Sequence, residues 1–181
     1  MLMATKTRRW TRADLARMPD DGNRYEVLDG ELFVTPQAAY DHQRAATVIL
    51  IKLGEYLRVV PIAEVVGPGA VIWDDNELQP DIQVIPGNHE SRRGAKWEEL
   101  PTPLLVVEVL SPSTRQRDLL KKRDAYLSLR IPTYWIVDSE RQSVLVWSST
   151  SSEPLSVADV LRWSPTSTDP PLEIPLDAIF G

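Results

Sequence analysis

The most continuous apolar run in the chain is LLVVEVL, residues 104–110, with one charged position in seven. A strand covered on both faces of a sheet reads this way, because neither side of it meets water. Ser111-Pro112 ends the run, and Ser113 or Thr114 can cap a helix that continues to about Arg130. TYWIVD and SVLVW then supply two more strands across a polar turn. Upstream, RYEVL and ELFV flank Asp29-Gly30, and an Asp-Gly pair between two such runs is a strong hairpin signal because both turn positions need positive φ. From Asp41 to about Val59 the apolar residues Ala45, Val48, Ile49, Ile51, Leu53, Tyr56 and Leu57 recur at mainly helical spacing, and Pro61 closes the segment.

The remaining segments are shorter. Thr11 caps a short helix that ends near Pro19, and AEVV, AVIW and DIQVI are β-rich runs broken by Gly67-Pro68-Gly69 and by the polar DDNELQ. Residues 86–103 lack a period and read as a mobile loop with a short helical piece. The tail is rich in Ser, Thr and Pro but returns to apolar at VADVLRW and PLDAIF, so it should pack on the rest. Strands on both sides of two substantial helices predict an α/β fold with a mixed central β-sheet flanked by helices. The expected organisation is one domain over residues 1–181, with a core at about 20–150.

Composition narrows the chemistry. The 181 residues include no cysteine and only two histidines, His42 and His89, so a metal would be held mainly by oxygen, which suits Mg²⁺ or Mn²⁺. The basic start MLMATKTRRW lacks the apolar run of a signal peptide, and no apolar stretch is long enough to span a bilayer, so the expectation is a cytoplasmic protein without a membrane partner. A net charge of −6 argues against a general polyanion binder. Locally, however, Arg115, Arg117, Lys121, Lys122 and Arg123 stand against the single Asp118.

Three residues stand out of pattern. Glu108 lies inside the most apolar strand, on the face of Val106 and Leu110, and a carboxylate buried there needs a cation, hydrogen bonds or a raised pKa. Asp81 follows Pro80 and opens DIQVI, where it can stand at the rim of the sheet; beside Glu108 it would form a two-carboxylate cation site. On a regular helical wheel Leu119, Leu120, Tyr126 and Leu127 define the inward face, with Lys122 at its edge, able either to snorkel to solvent or to reach the carboxylates.

The motifs RYEVLDGEL, DHQ, QPDIQVI, VVEVLSPST and DLLKKRDAYLSLRIPTYWIVD together resemble the bacterial restriction-endonuclease-like proteins of the Uma-two type, over roughly residues 10–150. The resemblance implies the PD-(D/E)XK nuclease superfamily, with Asp81 and Glu108 as the acidic ligands. The usual lysine position, two residues after the second acid, holds Leu110, and the family pattern moves the lysine to the next helix, at Lys122. It further implies that Glu31 and His42 complete the site, Glu31 ahead of His42 because a hard cation prefers oxygen. The expected function is an endonuclease in which Asp81, Glu108 and the Val109 backbone carbonyl bind Mg²⁺ or Mn²⁺. Lys122 acts at the phosphate or water, and Arg115, Arg117 and Arg123 hold the backbone of a nucleic acid, most simply DNA; a homodimer would let both strands be cut. The competing expectation is a catalytically inactive module that binds nucleic acid or a protein on the same fold. Carboxylate-pair glycoside hydrolysis ranks last, since it gives Lys122 no role.

Overall fold

A computed structural model describes residues 8–111 and 115–181. After a short helix at Arg12–Leu15, where Asp14 accepts the Thr11 N–H at 3.0 Å, the chain forms β1 (Arg24–Leu28) and β2 (Glu31–Thr35). Their antiparallel register pairs Leu28 with Glu31, and the turn residues Asp29 and Gly30 sit at φ 53° and 85°, the left-handed pair that the Asp-Gly signal requires. The long helix Tyr40–Val59 follows and turns Ala45, Ile49, Leu53 and Leu57 inward, one every fourth residue.

Next come β3 (Ala63–Val66), β4 (Val71–Trp73), β5 (Asn76–Leu78) and β6 (Ile82–Pro86). β5 lies within the segment that reads as a polar break; it pairs with β4 and β1 and fully buries Leu78. Residues 86–103 carry two short 3₁₀ turns, Glu90–Arg92 and Trp97–Glu99. β7 (Leu105–Val109) is buried at every position, as its composition demands. The helix of residues 115–128, the strands β8 (Thr133–Asp138), β9 (Ser143–Ser148), β10 (Leu155–Val157), β11 (Val160–Trp163) and β12 (Leu172–Pro175), and a final helix Leu176–Phe180 complete the chain. The proposed cap at Ser113 or Thr114 lies outside the described residues.

The central sheet has six strands in the order β10-β9-β8-β7-β6-β3, parallel only between β7 and β8, so it is mixed as expected. A second sheet, β2-β1-β5-β4, and the β11-β12 ribbon pack around it. Alternation along β7 separates two cores. Leu105, Val107 and Val109 meet the long helix together with Leu161, Trp163, Ile174 and Ile179, so the tail does pack on the sheet. Val106 and Leu110 meet Leu28, Leu78, Ala125 and Tyr126 on the other face. Glu108 therefore points, as its neighbours predict, toward the second sheet and the helix of residues 115–128.

Candidate active site

β6 and β7 run antiparallel with Ile82 opposite Val107, and one further step of that register sets Asp81 opposite Glu108. The pairing is tied by the Val109 N–H, which donates to Asp81 Oδ2 at 2.8 Å. Behind Asp81 the chain must also admit the Gly67 loop: a Cβ at Gly67 would overlap the Asp81 carbonyl, so only glycine lets the two backbones approach there. Arg24, at the start of β1, donates from Nη1 to Asp81 Oδ1 at 2.9 Å and to the Gln79 carbonyl at 2.9 Å. His42, in the first turn of the long helix, brings Nε2 to 3.2 Å from Asp81 Oδ2, while its Nδ1 is buried without a partner.

Deeper in, Lys122 is fully buried and its Nζ lies 2.7 Å from Glu108 Oε1 and 2.7 Å from Glu26 Oε1. Tyr126 donates its hydroxyl to Glu108 at 2.9 Å, and Gln79 N–H donates to Glu26 at 2.8 Å. Arg117 Nη2 stands 3.4 Å from Glu26 Oε2 and donates to Thr35 Oγ1 at 2.9 Å. Asp118, also buried, completes the group 3.8 Å from Lys122.

The inward face of this helix departs from the one its apolar residues define. Asp118, Lys122, Ala125 and Tyr126 are buried, whereas Leu120 is exposed. These four recur at i, i+4, i+7 and i+8, one face of a helix that a wheel built on apolar residues alone misses because Asp118 and Lys122 are charged; a π turn at Asp118–Lys122 lies within it. Lys122 neither snorkels nor sits at the edge; it is at the centre of the buried face.

Electrostatics follow from burial against partners. Burial pushes the Asp81 carboxyl up, but the hydrogen bond from His42 and the charge of Arg24 outweigh it and hold the group at about 2. Burial also raises Glu108, and here Lys122 offsets it only in part while Asp118, Asp81 and Glu26 push the same way, leaving it at about 8. Glu26 feels burial too, yet Lys122, Arg24 and Arg117 bring it below the usual carboxylate range. Lys122 is raised despite burial by Glu108 and Glu26, so it stays an ammonium and cannot serve as a base.

A cleft of about 440 Å³ opens onto this cluster, walled by Arg24, His42 and Asp81 together with Thr35, Gln37 and Ser111. Glu108 and Lys122 lie behind that wall.

Sequence reasoning missed Glu26. The signal was present: an acid inside RYEVL is the same anomaly as the acid inside VVEVL. Glu31, expected to complete the site ahead of His42, is not in the cluster. Its side chain is 59% exposed and ion-paired to Lys121, because it sits at the hairpin turn, beyond the buried end of β1. The three arginines assigned to a nucleic-acid backbone do not form one surface. Arg115 is bound to Asp138 at 2.6 Å, Arg117 is turned into the cluster, and Arg123 pairs with Asp124 and lies over Trp147.

The donor set fits a hard divalent ion in kind, since Asp81 and Glu108 are both oxygen donors and the β6–β7 register carried one step further sets them opposite each other. Among the described residues no group of three or more His, Asp or Glu is arranged to hold a metal ion. Such an ion would therefore complete its shell with water and substrate oxygen, which is how Mg²⁺ is usually bound. Among the described residues no helix is long and apolar enough to cross a membrane.

A family model described as "Uma2: Putative restriction endonuclease" matches residues 12–176. Among solved structures, the chain is similar to a protein titled a putative nuclease belonging to DUF820 from Anabaena variabilis ATCC 29413, with a TM-score of 0.76 at 18% identity over 94% of this chain and 97% of that one. That likeness shows the fold. No curated protein matches the chain.

Proposed function

The chain belongs to the Uma2 family of restriction-endonuclease-like proteins, and on that premise we propose that it is a divalent-metal-dependent endonuclease that hydrolyses phosphodiester bonds, with DNA as substrate. One observation carries the reading: Asp81 lines a cleft, the β6–β7 register carried one step further sets it opposite Glu108 behind the wall, and a buried ammonium lies 2.7 Å from Glu108.

Asp81 and Glu108, with the Val109 carbonyl, would hold Mg²⁺ or Mn²⁺. Such an ion polarises a phosphoryl oxygen and makes water a competent nucleophile at neutral pH. Asp81 is the accessible acid, kept ionised by Arg24 and His42 and oriented by the Val109 N–H. Glu108 stands behind it, and Lys122, pinned between Glu108 and Glu26, fixes its position. Lys122 thus acts through Glu108 and not as a proton acceptor. The reaction consumes one water: its oxygen bonds to phosphorus, the bridging P–O bond breaks, and the leaving oxygen takes a proton.

The closed ion-pairing favours a second reading, a non-catalytic nucleic-acid-binding module, since every acid of the cluster already has an internal cation. Cleavage of supercoiled, linear and single-stranded DNA in Mg²⁺ or Mn²⁺ by wild type, Asp81→Ala and Glu108→Ala separates the two. The nuclease reading expects metal-dependent nicking that drops at least about a hundredfold in both variants, about 2.7 kcal/mol of barrier. Equal rates in all three proteins refute it, and binding without cleavage establishes the module.

A further inference from the structure

From the contacts of the cleft wall we infer that Arg24 is the phosphate-contacting residue of this site, and that its guanidinium leaves Asp81 for a substrate phosphodiester when a divalent ion takes its place on the carboxylate. The inference rests on the nuclease reading and gives a role to Arg24, the first residue of RYEVLDGEL, which the expected catalytic set leaves out.

Three observations lead to it. Among the described residues lining the cleft, Arg24 is the one permanent cation; Arg115, Arg117 and Arg123 are spent elsewhere. Arg24 also lines a second groove of about 500 Å³ on its other side, with Arg12, Tyr25 and Gln79, so it stands on the divide between two open surfaces that an extended strand could follow. Finally, of the permanent cations on the acid cluster, the side chains of Lys122, Arg117 and Arg24 are 0%, 11% and 21% exposed. Moving Lys122 would leave it and two buried acids without partners, whereas Arg24 can swing into solvent and leaves only Asp81 to be compensated, by the entering ion.

The exchange leaves neither partner unpaired. An entering dication restores what Asp81 loses when the guanidinium departs, and the phosphodiester supplies Arg24 with a new anion. Guanidinium suits that second partner, because its planar fork meets two phosphate oxygens at once. In the resting state the same fork is divided between Asp81 Oδ1 and the Gln79 carbonyl, which it reaches through a single nitrogen.

The prediction has opposite signs for the two ligands. Arg24→Gln, which removes the competing charge, should bind Mn²⁺ about tenfold more tightly by calorimetry, equivalent to about 1.4 kcal/mol. The same variant should bind a fluorescein-labelled DNA duplex about tenfold more weakly by anisotropy, measured in Ca²⁺ to limit turnover. Arg24→Lys, which keeps charge but not the fork, should leave Mn²⁺ affinity near wild type and still weaken DNA, and it serves if the glutamine variant does not fold. A variant that weakens both ligands, or changes neither, gives Arg24 a purely structural role and overturns the inference. Mn²⁺ binding that is lost in Asp81→Asn yet unaltered in Arg24→Gln would keep the metal site and remove the exchange. No Mn²⁺ binding by wild type or by Arg24→Gln would remove both.

Discussion

Replacing Lys122 by Met tests whether the buried cluster is held together as described. The side chain is fully buried, and methionine is close to it in length and can fill the space, so packing loss is small. What is lost is the charge between Glu26 and Glu108, each 2.7 Å away. At an effective dielectric of about 20 each full charge pair at that separation is worth roughly 6 kcal/mol of gross attraction. Desolvation cancels much of this, and Glu108, raised to about 8, is largely protonated near neutral pH and contributes a charge-assisted bond instead of a full pair. The expected net loss at pH 8 is about 3–5 kcal/mol, the usual cost of stranding a buried charge. It should not be constant. Without the ammonium, native Glu26 and Glu108 bind protons more readily, and each pH unit of acidification returns up to about 1.4 kcal/mol per proton so gained. Urea unfolding at pH 8 and pH 5.5, with the denaturant slope checked against wild type, reads both effects. A loss below about 1 kcal/mol at pH 8, or a loss equal at the two pH values, would refute the picture of Lys122 as the cation that holds these two acids.

Other outcomes follow from the same contacts. Asp81 has a folded pKa of about 2 against an ordinary 3.8, so it contributes about 2 kcal/mol that is fully present above pH 4 and lost as pH falls through 2. Stability measured by urea between pH 2 and 5 should show this acid limb in wild type and not in Asp81→Asn; identical limbs would sink the assignment. Glu31→Ala breaks only an exposed pair with Lys121, so stability should change by less than about 0.5 kcal/mol and nicking activity should be unaltered. A hundredfold fall in activity would return Glu31 to the site.

Much of this was legible because burial leaves marks in a sequence. β7 announces itself by being apolar at nearly every position, and its alternation correctly assigns Glu108 to the face of Val106 and Leu110. The Asp29-Gly30 hairpin and the long helix follow from local rules that tertiary structure does not override. Strand β5 escaped because three residues, only one of them buried and apolar, carry no period; its pairing is supplied by β1 and β4. Glu26 escaped for a different reason. RYEVL reads as one strand of a hairpin, where an acid is ordinarily taken as solvent-facing, whereas Arg24, Glu26 and Leu28 share one side of the strand and deliver a cation, an acid and a core residue to one place. The arginines near residue 115 looked like a patch because sequence proximity does not show which acid each finds after folding.

The buried face of the helix of residues 115–128 is the step that apolar periodicity could not reveal, because charged Asp118 and Lys122 lie on it. In a regular α-helix of 3.6 residues per turn, residues four apart overshoot by about 40°, so the side chains at 118, 122 and 126 would fan over about 80°. That fan fits within one helical face, so Asp118, Lys122 and Tyr126 can all face the strand that carries Glu108. Strand geometry has the opposite character: β6 and β7 can bring Asp81 opposite Glu108 with ordinary register alone. The acids are therefore set by the sheet, which the sequence states openly, and the lysine by a helix face whose charged residues hide it from a hydrophobic pattern. This accounts for why the lysine can lie fourteen residues beyond Glu108 and still occupy the space beside it. It also explains why the resting cluster is closed: a helix that aligns its ammonium so well with two carboxylates leaves Asp81, at the mouth of the cleft, as the acid most open to exchange.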